Sequence, residues 1–68
     1  MRVQVNGEWR DVPDAVSVRD FIVSELAHPE PVGVAVAVNG SVVPKSQWEG
    51  HRLAPEDEVE LVGVMQGG

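Results

Sequence analysis

The sequence predicts an α+β domain in which one helix packs across a mixed sheet of about five strands. Two hairpin signals, Asn6-Gly7 and Asn39-Gly40, lie between segments rich in β-branched residues. Both central residues of a type I′ turn need positive φ, which Asn-Gly supplies. Apolar residues at helical spacing lie between the two hairpins, and an alternating segment closes the chain.

The first hairpin is predicted to pair residues 1–5 with residues 8–12. Alternation places Val3 and Val5 on one face of the first strand. Pro13 then ends the return strand, because proline cannot donate to a strand ladder.

The helix is predicted to begin after Ser17, which has the residue type of an N-cap. Asp20 follows three residues later, so the pair forms a variant of the capping box. One apolar stripe comprises Val18, Phe21, Ile22 and Leu26. We expect Phe21 at the centre of the core, and we expect the helix to stop by His28 because Pro29 follows.

Residues 32–38 form a predicted strand with two apolar faces. Either both faces are covered, or one packs on the helix and the other lies near a partner. Residues 41–43 are the return strand of the second hairpin, and Pro44 ends it.

Four short segments complete the predicted fold. Residues 46–48 form a turn of helix, residues 51–53 a brief strand, residues 54–57 a tight turn and residues 58–64 the last strand. Gly63 interrupts the alternation of the last strand, so we expect a bulge or a bend there. If the first and last strands pair centrally, they run parallel and the hairpins flank them.

Size and composition limit the function classes. The 68 residues fit one small domain, predicted for residues 1–64, with a flexible tail at residues 65–68. The sequence has no cysteine, which excludes a disulfide, a thiolate metal site and a cysteine nucleophile. His28 and His51 lie far apart, so we expect no metal site and no independent enzyme.

The net charge of −6 argues against nucleic-acid binding, because an acidic surface repels phosphates. It favours partners with basic docking faces, or it serves solubility alone. No apolar run approaches the roughly 20 residues that span a bilayer. We expect a cytoplasmic protein without membrane partners that is monomeric when free.

The sequence ends in Gly67-Gly68. A free α-carboxyl group is ionised at neutral pH and is an oxygen nucleophile. Without a Cβ at either position, the backbone can thread a narrow channel in a partner's active site. The alternative is a frayed end without a function, since chain termini are commonly disordered.

Several motifs carry a resemblance that covers the whole chain. They are Val5-Asn6-Gly7, Ala37-Val38-Asn39-Gly40, Val43-Pro44-Lys45-Ser46, Trp48, residues 57–62 and Gln66-Gly67-Gly68. In this order they resemble the ThiS family of sulfur carriers of thiamine biosynthesis, ThiS/MoaD-like members of the ubiquitin-like β-grasp superfamily. Residues 62–65 depart from the family's usual stretch before Gln-Gly-Gly, and residues 28–31 are unusually rich in proline.

The resemblance implies a carrier without a catalytic site of its own. A ThiF-like adenylyltransferase, using ATP and magnesium, would adenylate the Gly68 carboxylate. A persulfide or sulfide donor would convert it to a thiocarboxylate, and a ThiG-like thiazole synthase would receive the sulfur. Gly67 would give access to the partner's channel, which Gln66 and Met65 would line.

The resemblance also implies that the sheet face beside the last strand meets the partner. The docking candidates are Val42, Val59, Leu61 and Trp48, and each is also a candidate core residue. Trp9 has the same two alternatives, because interfaces and small cores both use tryptophan. The acidic residues 56–58 either pair with partner arginines or form a solvated turn.

Alternatives of two classes stay open: another sulfur carrier, and a modifier or interaction domain. A molybdopterin- or cysteine-type carrier would share the terminal chemistry and differ in the receiver of the sulfur. A ubiquitin-like modifier would form isopeptide conjugates with lysines, and a plain interaction domain would bind without Gly67-Gly68.

Overall fold

The computed structural model describes residues 1–29 and 31–63. The predicted tail at residues 65–68 lies outside them. The elements are β1 (Arg2–Val5), β2 (Glu8–Asp11), α1 (Val18–Leu26), β3 (Val34–Val38), β4 (Ser41–Val42), a 3-10 helix (Lys45–Gln47) and β5 (Glu58–Gly63). The strands form one mixed sheet in the order β2-β1-β5-β3-β4, which confirms the predicted fold class.

The centre of the sheet is the predicted parallel pair of β1 and β5, in which Val5 lies opposite Val59. On its other side β5 pairs antiparallel with β3, in continuous register as far as Gly63 opposite Val34. This continuity excludes the bulge expected at Gly63. Glycine suits the position because a Cβ there would lie 3.1 Å from the Gly33 carbonyl oxygen.

Both predicted hairpins are present. Asn6 has a φ of 50° and Gly7 of 85°, and Asn39 and Gly40 have φ of 52° and 85°. These left-handed conformations match the type I′ turns that Asn-Gly favours.

The helix α1 covers one face of the sheet. Ser17 caps its N-terminus, with its Oγ accepting a hydrogen bond from the Asp20 N–H at 3.0 Å, and Ala27 ends it in the left-handed conformation. The buried apolar core comprises Val3, Val5, Val18, Phe21, Ile22, Val36, Val38, Val43, Trp48, Leu53 and Val59. Phe21 is buried, as predicted.

The predicted strand at residues 51–53 is wrong. Arg52 makes only an isolated bridge with Ser17. The neighbouring backbone instead bonds to the start of the helix, with the Val18 N–H donating to the His51 carbonyl at 2.8 Å. This segment therefore secures the helix N-terminus and is not part of the sheet.

In the described residues, no helix has both the length and the apolar character needed to cross a membrane.

Replacing Ser17 by alanine should lower the free energy of unfolding by about 1 kcal/mol, because the Asp20 N–H loses its capping acceptor. Urea unfolding would measure the change as a lower midpoint at constant slope. Ser24→Ala, at an exposed position of the same helix, is the control and should be neutral or slightly stabilising. Equal destabilisation by both substitutions would contradict the capping role.

Candidate functional site

The sheet face opposite the helix is the first part of the candidate site. Cross-strand partners share a face, and successive residues alternate between faces. The register therefore places on this outer face Arg2, Gln4, Trp9, Asp11, Ala35, Ala37, Val42, Glu58, Glu60 and Val62. The inner face carries the buried residues Val3, Val5, Val36, Val38 and Val59. The single described α-helix cannot cover both faces.

One half of the outer face carries an apolar patch, defined here as Ala35, Ala37, Val42 and Val62. Ala35 lies opposite Val62, and Ala37 lies opposite Val42. The two valines are 69% and 71% exposed. Glu60, opposite Ala37, places a carboxylate at the edge of the patch. One face of β3 therefore packs on the core and the other is not covered by the described residues, which excludes the alternative that both faces are covered.

The structure separates the four docking candidates. Val42 lies exposed in the apolar patch. Leu61 lies on the inner face, partly buried against the core. Val59 and Trp48 are buried, at 1% and 3% exposure, so their side chains are core residues and not docking residues.

The buried Trp48 side chain forms one polar contact in the core. Its indole Nε1 donates a hydrogen bond to the Val43 carbonyl oxygen at 2.9 Å. Indole N–H groups need such a partner when buried. The bond holds the ring in the core, so the structure shows the core alternative for Trp48.

The sequence analysis missed Val62 as a surface residue. Val59, Leu61 and Val62 are all apolar, so their pattern gives no preference for either face. Val62 lies three residues after Val59, so the two side chains are on opposite faces of the strand. Because Val59 is buried, this spacing places Val62 on the outer face.

Trp9 lies on the other half of the outer face, 44% exposed. The Arg2 guanidinium carbon lies 4.4 Å from the centre of the Trp9 ring, a cation–π arrangement. This pair gives the β1–β2 side of the face a polar and aromatic character, unlike the apolar patch on β3, β4 and the end of β5.

The acidic residues 56–58 do not act as one unit. Glu56 adopts a positive φ of 70° in the turn. The Asp57 carboxylate accepts hydrogen bonds from the Ala54 N–H at 2.8 Å and from Asn39 Nδ2 at 2.9 Å. Glu58 is exposed on the outer face. Asp57 therefore has a structural role in the turn.

The second part of the candidate site is an open groove of about 430 Å³ at the end of β5. Its lining includes Asn6, Arg10, Glu25, Leu61 and Gly63. Arg10 donates to Glu25 Oε2 at 3.3 Å and to Glu8 at 3.1 Å. These bonds raise the pKa of Arg10, and the bond to Glu25 is the main cause.

The predicted reactive residue Gly68, and the access residues Gly67, Gln66 and Met65, lie outside the described residues. Residue 63, where β5 ends, lines the groove, so the groove marks where the chain leaves the described fold. In the described part of the chain, no group of three His, Cys, Asp or Glu side chains is arranged to hold a metal ion.

Comparisons with known proteins identify relatives over the whole chain. The sequence model of the ThiS family matches residues 3–68. The crystal structure of a thiamine biosynthesis protein (ThiS) from Geobacter metallireducens is 27% identical, with both chains covered in full and a TM-score of 0.78. A solution NMR structure of a thiamine biosynthesis protein from the same organism is 28% identical, with a TM-score of 0.74, over all of this chain and 88% of that one. A search of curated proteins found no match.

Replacing Trp48 by phenylalanine should lower the free energy of unfolding by about 1–3 kcal/mol, because the buried Val43 carbonyl loses its donor. The matched control is Trp9→Phe, which retains a ring beside Arg2 and should change stability by about 0.5 kcal/mol or less. Thermal and urea unfolding of both variants would measure the difference. Equal effects would contradict the assignment of the two tryptophans to core and surface.

Proposed function

The chain belongs to the ThiS family, and from this premise we propose that it is a sulfur carrier of thiamine biosynthesis that carries sulfur on the carboxylate of Gly68. The family match through residue 68 carries the proposal, because it includes the Gln66-Gly67-Gly68 segment. The 27% identity to a ThiS structure at a TM-score of 0.78 supports it. ThiS proteins are small sulfur carriers, and the proposal extends this role to the chemistry of the terminal residue.

In the first proposed step, a carboxylate oxygen of Gly68 attacks the α-phosphorus of ATP and pyrophosphate leaves. The product is an acyl-adenylate, an activated anhydride. An E1-like adenylyltransferase of the ThiF type binds ATP and magnesium in this step. The carrier supplies the carboxylate, and Gly67 lets the backbone reach the nucleotide through a narrow channel.

In the second step, a sulfur nucleophile attacks the acyl carbon and AMP leaves. Hydrosulfide gives the thiocarboxylate directly, with loss of a proton. A persulfide donor gives an acyl disulfide, which a further thiol reduces to the thiocarboxylate. Sulfur is more nucleophilic than the oxygen it replaces, so a ThiG-like thiazole synthase can accept it from the carrier.

We place the docking surface for the adenylating partner on the apolar patch. Val42 and Val62 are the exposed large apolar residues of this half of the face, and the two alanines between them let a partner approach closely. Glu60 borders the patch, so a partner with a basic rim fits it, and the net charge of −6 accelerates encounter with such a surface.

Coexpression with the adenylating partner and a sulfur source tests the carrier function by intact mass. The chain should gain the mass difference of one oxygen exchanged for one sulfur, because the terminal acyl group becomes a thiocarboxylate. A variant without Gly68 is the control and should show no gain. If the intact chain shows no such mass gain while the partner is active on an established carrier, the proposal is wrong.

The same preparation separates the alternatives. Transfer of sulfur to a thiazole synthase assigns the carrier to thiamine biosynthesis, whereas transfer only to a molybdopterin synthase large subunit assigns it to the molybdopterin type. Isopeptide conjugates with lysines would indicate a modifier.

Val42→Asp should weaken binding to the adenylating partner about tenfold or more, since a buried valine contributes about 1.5–3 kcal/mol and the new charge loses hydration. Titration calorimetry would measure the dissociation constant. Ser24→Asp adds the same charge at an exposed position of the helix, away from the outer face. Equal affinities for the two variants would remove the apolar patch as the docking surface.

A further inference from the structure

The two edges of β5 are held in different ways. On the β3 side, pairing continues to Gly63. On the β1 side, the paired residues are Glu58 and Val59. The Gln4 N–H donates to the Asp57 carbonyl and the Asn6 N–H to the Val59 carbonyl, both at 2.9 Å. The backbone after β1 then turns at Asn6-Gly7, so no residue of β1 pairs with Leu61.

The side chain of Asn6 continues the ladder where the backbone of β1 stops. The Leu61 N–H donates to Asn6 Oδ1 at 2.9 Å, and Asn6 Nδ2 donates to the Leu61 carbonyl at 3.3 Å. In a parallel ladder, every second residue of β5 forms its backbone hydrogen bonds with the same neighbouring strand, here β1. Leu61 is the next such residue after Val59, so one primary amide supplies both of its bonds on this side.

Asn39 makes similar contacts at the opposite end of β5. The Glu58 N–H donates to Asn39 Oδ1 at 2.9 Å, and Asn39 Nδ2 donates to the Asp57 carboxylate at 2.9 Å. Asn39 and Asn6 have nearly equal φ of 52° and 50°. Each is the first residue of an Asn-Gly turn, so the two residues differ mainly in which end of β5 they hold.

The turn alone does not require asparagine at either position. Glycine adopts positive φ more readily, yet it has no amide to bond to β5. Substitution by glycine therefore removes the side-chain bonds and retains the turn.

We propose that Asn6 is a positioning residue for the adenylation of the carrier: its amide fixes the exit of β5 at Leu61 and thereby directs the chain that follows Gly63 toward the partner's active site. This inference rests on the proposed function. The docking surface lies on the outer face, whereas Leu61 and the groove lie on the inner side. Loss of the Asn6 amide should therefore reduce productive delivery of the carboxylate without reducing affinity, since small errors in placement cost rate.

Two measurements on the full chain test the inference, with Asn39→Gly as the matched control. The first is amide hydrogen exchange at Leu61, followed by NMR. In Asn6→Gly the exchange rate of Leu61 should rise about tenfold, because the N–H loses its acceptor. In Asn39→Gly it should stay at the wild-type rate after correction for global stability. An unchanged Leu61 rate in Asn6→Gly overturns the inference.

The second measurement is ATP–pyrophosphate exchange with the adenylating partner at varied carrier concentration. For Asn6→Gly, kcat should fall about tenfold while KM stays near the wild-type value. Asn39→Gly should retain the wild-type kcat. Asn6→Asp retains an acceptor for the Leu61 N–H and tolerates positive φ, so it should recover part of the lost rate.

The outcomes separate this inference from the proposed function. A normal wild-type rate with an unchanged kcat in Asn6→Gly overturns the positioning role alone. An equal fall of kcat in Asn39→Gly assigns the effect to stability and also overturns it. No adenylation of the wild-type chain by an active partner contradicts the proposed function, and the positioning role is then wrong as well.

Discussion

The parallel pairing of β1 with β5 is the constraint on which the rest of the fold depends. It joins strands from opposite ends of the described chain, with Val5 and Val59 side by side and both buried. Parallel neighbours cannot be joined by a tight turn and need a long crossover. Here the crossover contains the helix and the β3–β4 hairpin. As a result β5, the last strand of the described chain, lies at the centre of the sheet and pairs with β1 on one side and β3 on the other.

In the described chain, one α-helix over a five-stranded sheet leaves one face for other contacts. The outer face is divided by β5: Arg2 stacks on Trp9 on one side, and small or β-branched apolar residues occupy the other. Val42 and Val62 are 71% and 69% exposed, so burial inside the domain gives their side chains little stabilisation. The proposed docking surface would bury both side chains, and the acidic surroundings would add attraction over a longer range than apolar contact does.

Local signals were enough to predict the two hairpins, the helix between them and the final strand. The two Asn-Gly dipeptides, the Ser17 cap and the helical stripe each report on residues close in sequence. The side of the sheet that each valine occupies is different, because Val59, Leu61 and Val62 are chemically alike and only the pairing register distinguishes them. The buried Trp48 indole bonds to the Val43 carbonyl, a contact that the sequence does not reveal. Residues 51–53 do not form a strand, because their backbone forms hydrogen bonds with the residues at the start of the helix. The bonds between the Asn6 amide and Leu61 were not predicted, because the Asn-Gly turn already explained an asparagine at this position.

Because β1 ends at Val5, its backbone pairs with only the first part of β5. In the proposed carrier, the strand is held on both sides, and the chain beyond it is proposed to reach another protein's active site. If β1 continued past Val5, its backbone would pair with β5 beyond Val59, next to the groove that Arg10 and Glu25 line. A side chain can supply the bonds at Leu61 without carrying the backbone any further. Asn6 thus combines the end of β1, the turn and the last bonds to β5 on the β1 side. This arrangement holds β5 on the β1 side as far as Leu61, while β3 holds its other side as far as Gly63.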